Sequence, residues 1–233
     1  MARIINGCLI CQSKLVYNPA QAMDVTCLCC GKKDKSYVIC PNGHYICDEC
    51  HRKNILQVVE KVCLASDLND PLDLALRIFN LPALHMHGPE YHSIVPAVLI
   101  TAYANWCQVD KAPLIREAIE RGKQVRGGFC GSHGICGAAA GVGIAFALIN
   151  KVTPCSVQER GLANKMTALA LLQISQYGGP RCCKRESILA IEVAKKEFAC
   201  FGEDSDIKYI CSQYVDNEEC IEMACPYHPT NAK

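Results

Sequence analysis

The chain has 233 residues, half of them hydrophobic, and a formal net charge of +1. That is enough apolar material for one core of ordinary size with a small appended module, and the near-neutral balance argues against a broad electrostatic grip on nucleic acid. Nineteen cysteines, many in Cys-x2-Cys pairs and with no sustained apolar run after Met1-Ala2-Arg3, favour metal binding in a reducing, cytoplasmic compartment over a secreted disulfide scaffold. So many thiols also suit an anaerobic cell.

Residues 1–51 read as a zinc-binding module. Cys8 and Cys11, Cys27 and Cys30, Cys40 and His44, and Cys47 and Cys50 make four pairs. Each short loop offers two ligands, and four ligands complete a tetrahedral site, so eight predict two zinc ions. Gly31 follows the second pair in the manner of a zinc knuckle. The run from Cys40 to Cys50 resembles the centre of a RING or related cross-braced finger. It departs from RING order in that no fourth pair follows Cys50, so Cys8 and Cys11 must serve. Either sequence neighbours share an ion, or the first pair joins the third and the second the fourth. Cys29 and His51 are spare ligands. So few apolar residues could hardly fold alone without metal.

Residues 52–233 read as a mainly α domain. Ile55, Val58, Val59, Val62 and Cys63 recur at helical spacing between His51 and Leu64. Asn69 or Asp70 caps a helix with Pro71 at its first position, ending at Leu81-Pro82. His85-Met86-His87-Gly88-Pro89-Glu90-Tyr91-His92 then brings three histidines and a glutamate together. These are ligands for zinc, iron or nickel, and proton carriers near neutral pH. The plainer reading is that they cap the next helix or bond buried backbone. An apolar helix runs on through Trp106. Another follows Ala112-Pro113, with Arg116, Arg121 and Lys123 on what reads as a solvated face and Arg126 beside the next loop.

That loop begins at Gly127 and carries Cys130 and His133. It enters a helix of small and apolar residues with Cys136 at its start, where free N–H groups and the helix dipole favour a thiolate. Gly137, Ala140, Gly141 and Gly143 allow a neighbour to approach closely. The uncharged stretches from Ile94 to Val109 and from Gly134 to Asn150 fall short of the ~20 residues that a spanning helix needs, so both read as buried core helices. A long helix over Gln158 to Tyr177 turns Leu162, Met166, Leu169, Ala170, Leu172 and Ile174 inward. Gly178-Gly179-Pro180 stops it. Arg181-Cys182-Cys183-Lys184-Arg185 then opens a helix to Phe198, a second cysteine site at a helix start, here among basic residues that would stabilise thiolates or an anionic iron–sulfur cluster. The tail holds Cys211, Cys220 and Cys225-Pro226, the last like the closing cysteine of a bacterial ferredoxin run.

With these motifs in place, the chain resembles an uncharacterised cysteine-rich family of anaerobic bacteria and methanogenic archaea. The Cys8 to Cys50 pattern, His87-Gly88-Pro89-Glu90, the Gly127 to Ala139 loop and Gly178 to Arg185 carry the resemblance, which spans nearly the whole chain. It implies that members accompany or are fused to radical-SAM or methyltransferase-like proteins, and hence a protein partner. It supplies no established reaction. The stretch Gly134-Ile135-Cys136-Gly137-Ala138 is also similar to redox-active proteins that carry a Gly-Cys-Ala motif.

The first functional reading is a cytoplasmic metalloprotein. Cys130, Cys136, Cys182 and Cys183 hold an iron–sulfur cluster or catalytic metal, His133 tunes it or moves a proton, His87 and Glu90 serve as acid/base groups or open-site ligands, and Arg126 and Arg181 balance charge. The alternatives are thiol–disulfide chemistry at Cys136 or Cys182 without a cluster, and a non-enzymatic adaptor built on the zinc module. No membrane attachment and no general nucleic-acid binding are expected.

Overall fold

The computed structural model describes residues 8, 13–18, 20–28, 30–49, 55–81, 84–201 and 209–231. Two small antiparallel ladders build the N-terminal region. Strand β1 (Val16–Tyr17) pairs with β4 (Val38–Ile39), Val16 opposite Ile39, and β2 (Met23–Thr26) pairs with β3 (Lys33–Ser36), Met23 opposite Ser36. Neither ladder buries a face, since none of its residues is buried. Among the described residues up to 49, only Cys8, Cys27, Cys40 and Cys47 are buried. Two-stranded ladders of this length are marginal in water, so whatever holds this region together acts through those cysteines.

From Ile55 onward the chain is helical: α1 (Ile55–Ala65), α2 (Pro71–Phe79), α3 (Tyr91–Cys107), α4 (Lys111–Gln124), α5 (Phe129–Ser132), α6 (Gly137–Ile149), α7 (Gln158–Ser175) and α8 (Cys183–Glu197). Short 3-10 turns at Tyr214–Asp216, Glu222–Ala224 and Pro229–Asn231 carry the tail. The mainly α reading of this region holds, and several boundaries follow the expected signals. Asp70 caps α2, its Oδ1 accepting from the N–H groups of Leu72 at 2.8 Å and Asp73 at 3.3 Å, with Pro71 in the first turn. In α1 the buried side is Ile55, Leu56, Val59 and Cys63, while Val58 faces solvent, so the stripe is rotated from the expected one.

Helix α3 is the hub. It packs against α1, α2, α4, α6 and α8, and apolar residues from Ile94 to Ala104 are buried around most of its circumference. That explains why its sequence has no amphipathic period: a helix covered on all sides has no polar stripe. Pro96 inside it removes the N–H that would bond the His92 carbonyl. Gly122 of α4 closes over that carbonyl, and a Cβ there would meet it at 2.5 Å. The same economy of space shapes α6. A methyl on Gly137 would collide with the His92 ring, and one on Gly143 with Thr167 of α7. The expected close approach along this helix is therefore present.

Helix α7 departs from expectation. Of its six residues expected inward, Met166 and Ala170 are buried, whereas Leu162 and Leu172 are 43% and 62% exposed. The helix lies mainly against α6 and α8, so it buries a narrow stripe. Helix α8 departs in the opposite direction: Lys184, Arg185, Glu186 and Lys195 are all buried. Each has a partner. Lys184 Nζ donates to the Phe79 carbonyl at 3.0 Å, at the end of α2. Arg185 Nη2 donates to the carbonyls of Gly178 and Pro180, both at 3.1 Å. Lys195 Nζ reaches Asp70 Oδ2 at 2.8 Å, so Asp70 both caps α2 and ties it to α8. Among the described residues no helix is long and apolar enough to cross a membrane.

Candidate metal centres

The four N-terminal pairs come together as two groups. Cys8, Cys40 and His44 form one, Cys27, Cys30 and Cys47 the other, and within each group the ligand atoms lie within 4.8 Å of one another. The spacing is informative. Cys8 Sγ and Cys40 Sγ each lie 3.7 Å from His44 Nδ1, and Cys30 Sγ lies 3.6 Å from Cys47 Sγ. A tetrahedral ion with Zn–S of about 2.3 Å and Zn–N of about 2.0 Å requires ligand-to-ligand edges of about 3.5–3.8 Å. The donor atoms therefore already stand at the edge lengths of a shared ion.

Local backbone explains how each pair is aimed. Gly31, with φ of +71°, turns the chain after Cys27, and its N–H donates to the Cys27 carbonyl at 2.8 Å. Gly43, with φ of +74°, does the same after Cys40 at 2.9 Å. Backbone N–H groups also point at sulfur: Cys47 N–H at Cys27 Sγ (3.3 Å) and Asn42 N–H at Cys40 Sγ (3.4 Å). Of the two wirings open from the sequence, the first pair joins the third and the second joins the fourth. This is the cross-braced arrangement. Cys11 and Cys50, the remaining expected ligands, lie outside the described residues, as do the spare Cys29 and His51.

This region rests on the helical region at three points. Arg126 Nη2 lies 2.5 Å from Asp34 Oδ1, the Gly127 N–H donates to Asp48 Oδ2 at 2.8 Å, and Arg181 Nη2 donates to Tyr17 Oη at 2.9 Å with its guanidinium over the Tyr17 ring. Arg126 and Arg181, expected as counter-charges for a ligand, are thus engaged in holding the two regions together. Between the regions lies a cleft of about 1200 Å³, lined in part by His85, His87, Pro89, Phe129, His133 and Arg181.

The helical-region candidates divide around Glu186. Cys136 and Cys182 do cap helices, α6 and α8 respectively. The Cys136 thiol donates to Glu186 Oε2 at 3.3 Å, and the Cys182 N–H donates to Glu186 Oε1 at 3.2 Å. The expectation of lowered thiol pKa values at these helix starts is corrected here. Burial pushes the Cys136 thiol well up, with the Glu186 carboxylate adding to it, and burial pushes Cys182 to about 11. Cys183 and Cys130 are raised by burial too. Desolvation outweighs the helix dipole. No three of Cys130, Cys136, Cys182 and Cys183 have sulfurs mutually within 4.8 Å. His133 is exposed, bonded to Ser132 Oγ at 2.7 Å and stacked on Phe129 at 4.2 Å between ring centres.

His87 and Glu90 are set more deeply. Glu90 is fully buried at the start of α3, with Oε1 3.5 Å from His85 Nδ1. Gly88 must lack a side chain because the Glu90 carboxyl occupies that space. His87 Nε2 lies 3.0 Å from Asn217 Oδ1, and Asn217 Nδ2 lies 3.8 Å from Cys182 Sγ. Burial, with Arg181 nearby, lowers the His87 pKa to about 4. Asn217 and Glu186 are the residues that sequence reasoning missed. Neither has a signal of its own, although an acidic residue in the first turn of α8 after two cysteines could have pointed to Glu186.

A family model described as a family of unknown function (DUF5714) matches residues 59–228. The match opens inside α1, so both N-terminal ligand groups precede it. No curated protein and no solved structure matches the chain.

Proposed function

We propose that this chain, which belongs to the DUF5714 family of unknown function, is a cytoplasmic redox metalloprotein that serves a partner enzyme. In this reading residues 1–51 are a cross-braced zinc finger. One ion is held by Cys8, Cys11, Cys40 and His44, the other by Cys27, Cys30, Cys47 and Cys50. The carrying observation is the pair of interleaved ligand groups at 3.6–3.7 Å. These ions are structural: each four-ligand shell is closed, with no position for substrate.

Residues 52–233 carry the chemistry. Their cysteines collect at the starts of α6 and α8 and in the tail, which suits an iron–sulfur cluster with Cys182 among its ligands. Cys130, Cys136 and Cys183 are the further ligand candidates, His87 lines the cleft with Glu90 buried behind it, and Arg181 balances charge. Radical-SAM and methyltransferase-like enzymes are the partner classes that fit. Thiol–disulfide exchange at Cys136 or Cys182 fits less well, because a nucleophilic thiol needs access and a thiolate, whereas Cys136 is only 8% exposed and burial pushes Cys182 up to about 11.

Metal and acid-labile sulfide analysis of anaerobically purified protein tests both halves. The expected result is two zinc ions, matching the two groups, together with iron, sulfide and a brown chromophore. Zinc with neither iron nor sulfide would sink the redox half and leave the zinc finger standing.

A further inference from the structure

We infer that Cys182, Cys211, Cys220 and Cys225 together hold the iron–sulfur cluster, in a pocket where the tail folds over the start of α8. This rests on the redox reading above and locates its centre.

The tail is brought there by its backbone. The Cys211 N–H donates to the Tyr227 carbonyl at 2.8 Å, closing residues 211–227 into a loop, and the 3-10 turns set Cys220 and Cys225 on its inner side. All four thiols line one small, almost wholly apolar cavity of about 30 Å³. That exceeds the ~10–15 Å³ a single water requires. Cys130, Cys136 and Cys183 do not line it.

Three features distinguish this pocket from a chance collection of thiols. First, N–H groups are aimed at sulfur. Glu222 N–H donates to Cys220 Sγ at 3.3 Å, Asn217 Nδ2 lies 3.8 Å from Cys182 Sγ, and the backbone N–H groups of Arg185 and Tyr227 bond Cys182 and Cys225. Hydrogen bonds to sulfur are a principal means by which a protein stabilises and tunes such a cluster. Secondly, the wall includes Lys184 and Arg185, both nearly fully buried, against which an anionic cluster would sit. Arg185 already has the Glu186 carboxylate 3.7 Å from its Nη2 and Lys184 donates to the Phe79 carbonyl, so an anionic cluster would add to charge compensation that is partly in place. Thirdly, the sulfurs are too widely spaced for one ion. No three of the four lie mutually within 4.8 Å, whereas a single tetrahedral zinc needs edges of about 3.8 Å. The N-terminal groups meet that requirement and this one does not, so a multi-metal cluster suits these four thiols better than a single zinc does. Cys225-Pro226 also resembles the cysteine–proline ending of a bacterial cluster-binding run, although the tight Cys-x2-Cys spacing of that run is not present before it.

The position gives the cluster an outlet. Asn217 touches Cys182 on one side and His87 on the other, and His87 lines the large cleft. A cluster at these four thiols thus lies two side chains from the space where a substrate or partner would bind.

The test compares two double variants of the full chain, purified without oxygen: Cys211→Ala with Cys225→Ala, and Cys130→Ala with Cys136→Ala. Iron, sulfide and zinc are counted per chain. The first pair should lose iron and sulfide to background and keep its zinc and helical circular dichroism. The second should keep both iron and sulfide. Iron lost only from the second pair would overturn this location while leaving the redox reading intact. Absence of iron from the wild type would end both. A further zinc that disappears with Cys211 and Cys225 would overturn the cluster as occupant. Should the first variant misfold, native alkylation of wild type decides. Cys182, Cys211, Cys220 and Cys225 should become reactive together when an iron chelator is added, and unchanged reactivity of the four would overturn the assignment.

Discussion

The N-terminal and helical regions bury cysteine for different reasons. In the first, Cys8, Cys27, Cys40 and Cys47 are the only buried residues among those described up to 49, and their neighbours are other ligands. In the second, Cys63 is one member of a continuous apolar core built on Ile94, Leu99, Ile100, Ile188 and Ile191. A buried thiol in the helical core behaves as a small hydrophobe. A buried thiol in the ladders has no apolar company that would justify its position, so its burial points to a metal. One region gathers its buried residues into two groups that could each hold a metal ion, while the other stands on hydrophobic area.

The largest effect should come from removing metal. Structural zinc sites contribute on the order of 10 kcal/mol to folding, far more than two short ladders supply. A strong chelator, or Cys40→Ala, should abolish protease resistance across residues 13–49 and leave helical circular dichroism nearly unchanged. Equal loss of both signals would break the comparison, by showing that the regions share one cooperative unit. The reciprocal experiment is Leu74→Ala. Leu74 is fully buried in α2, and truncation of such a residue costs roughly 2–5 kcal/mol. Its unfolding free energy from urea titration should fall by that amount while zinc content stays the same.

The sequence made one region legible in its chemistry and the other in its elements. The paired spacing from Cys8 to Cys47 announced two ligand groups because each pair is local. Their wiring was not legible, because Cys8 meets Cys40 and Cys27 meets Cys47 only after the ladders form. Asp70-Pro71 announced the start of α2 by the same locality. What escaped was the surroundings of the helical cysteines. Lys184 and Arg185 read as basic residues that would stabilise thiolates, yet they are buried and donate to the carbonyls of Phe79, Gly178 and Pro180. The resulting desolvation reverses the thiol chemistry expected from helix position. Leu162 and Leu172 look inward by period, but no element covers that side of α7 among the described residues. Asn217 carries no motif, and only the fold places it between His87 and Cys182.

A smaller, pH-dependent effect sharpens the contrast from the helical side. The folded pKa of His87 is about 4, below its ordinary 6.5. Between these values the unfolded chain binds the extra proton, so stability rises with pH. The contribution is fully present above about pH 6.5 and is lost as pH falls toward about 4. His87→Gln should therefore flatten the acid limb of urea stability in that window. Comparing variant with wild type cancels zinc release from His44, which acid also promotes. Identical slopes for the two proteins would show that His87 is not held neutral by burial.

The smallest effect concerns how the regions meet. Arg126 is 53% exposed and Asp34 17%, so solvent and salt screen their attraction, and such pairs contribute about 0–1 kcal/mol. Arg126→Ala should leave the urea unfolding free energy of the helical region within that margin and leave zinc content unchanged. Its consequence should instead be local: faster amide exchange at Gly127, whose N–H is held by Asp48 beside the lost pair. Arg181→Ala removes the bond to Tyr17 and the stacking on its ring as well, so it should loosen the contact further. If neither change alters exchange at Gly127, the regions are held together by the ladders' own shape, and the charge pairs only fix their orientation.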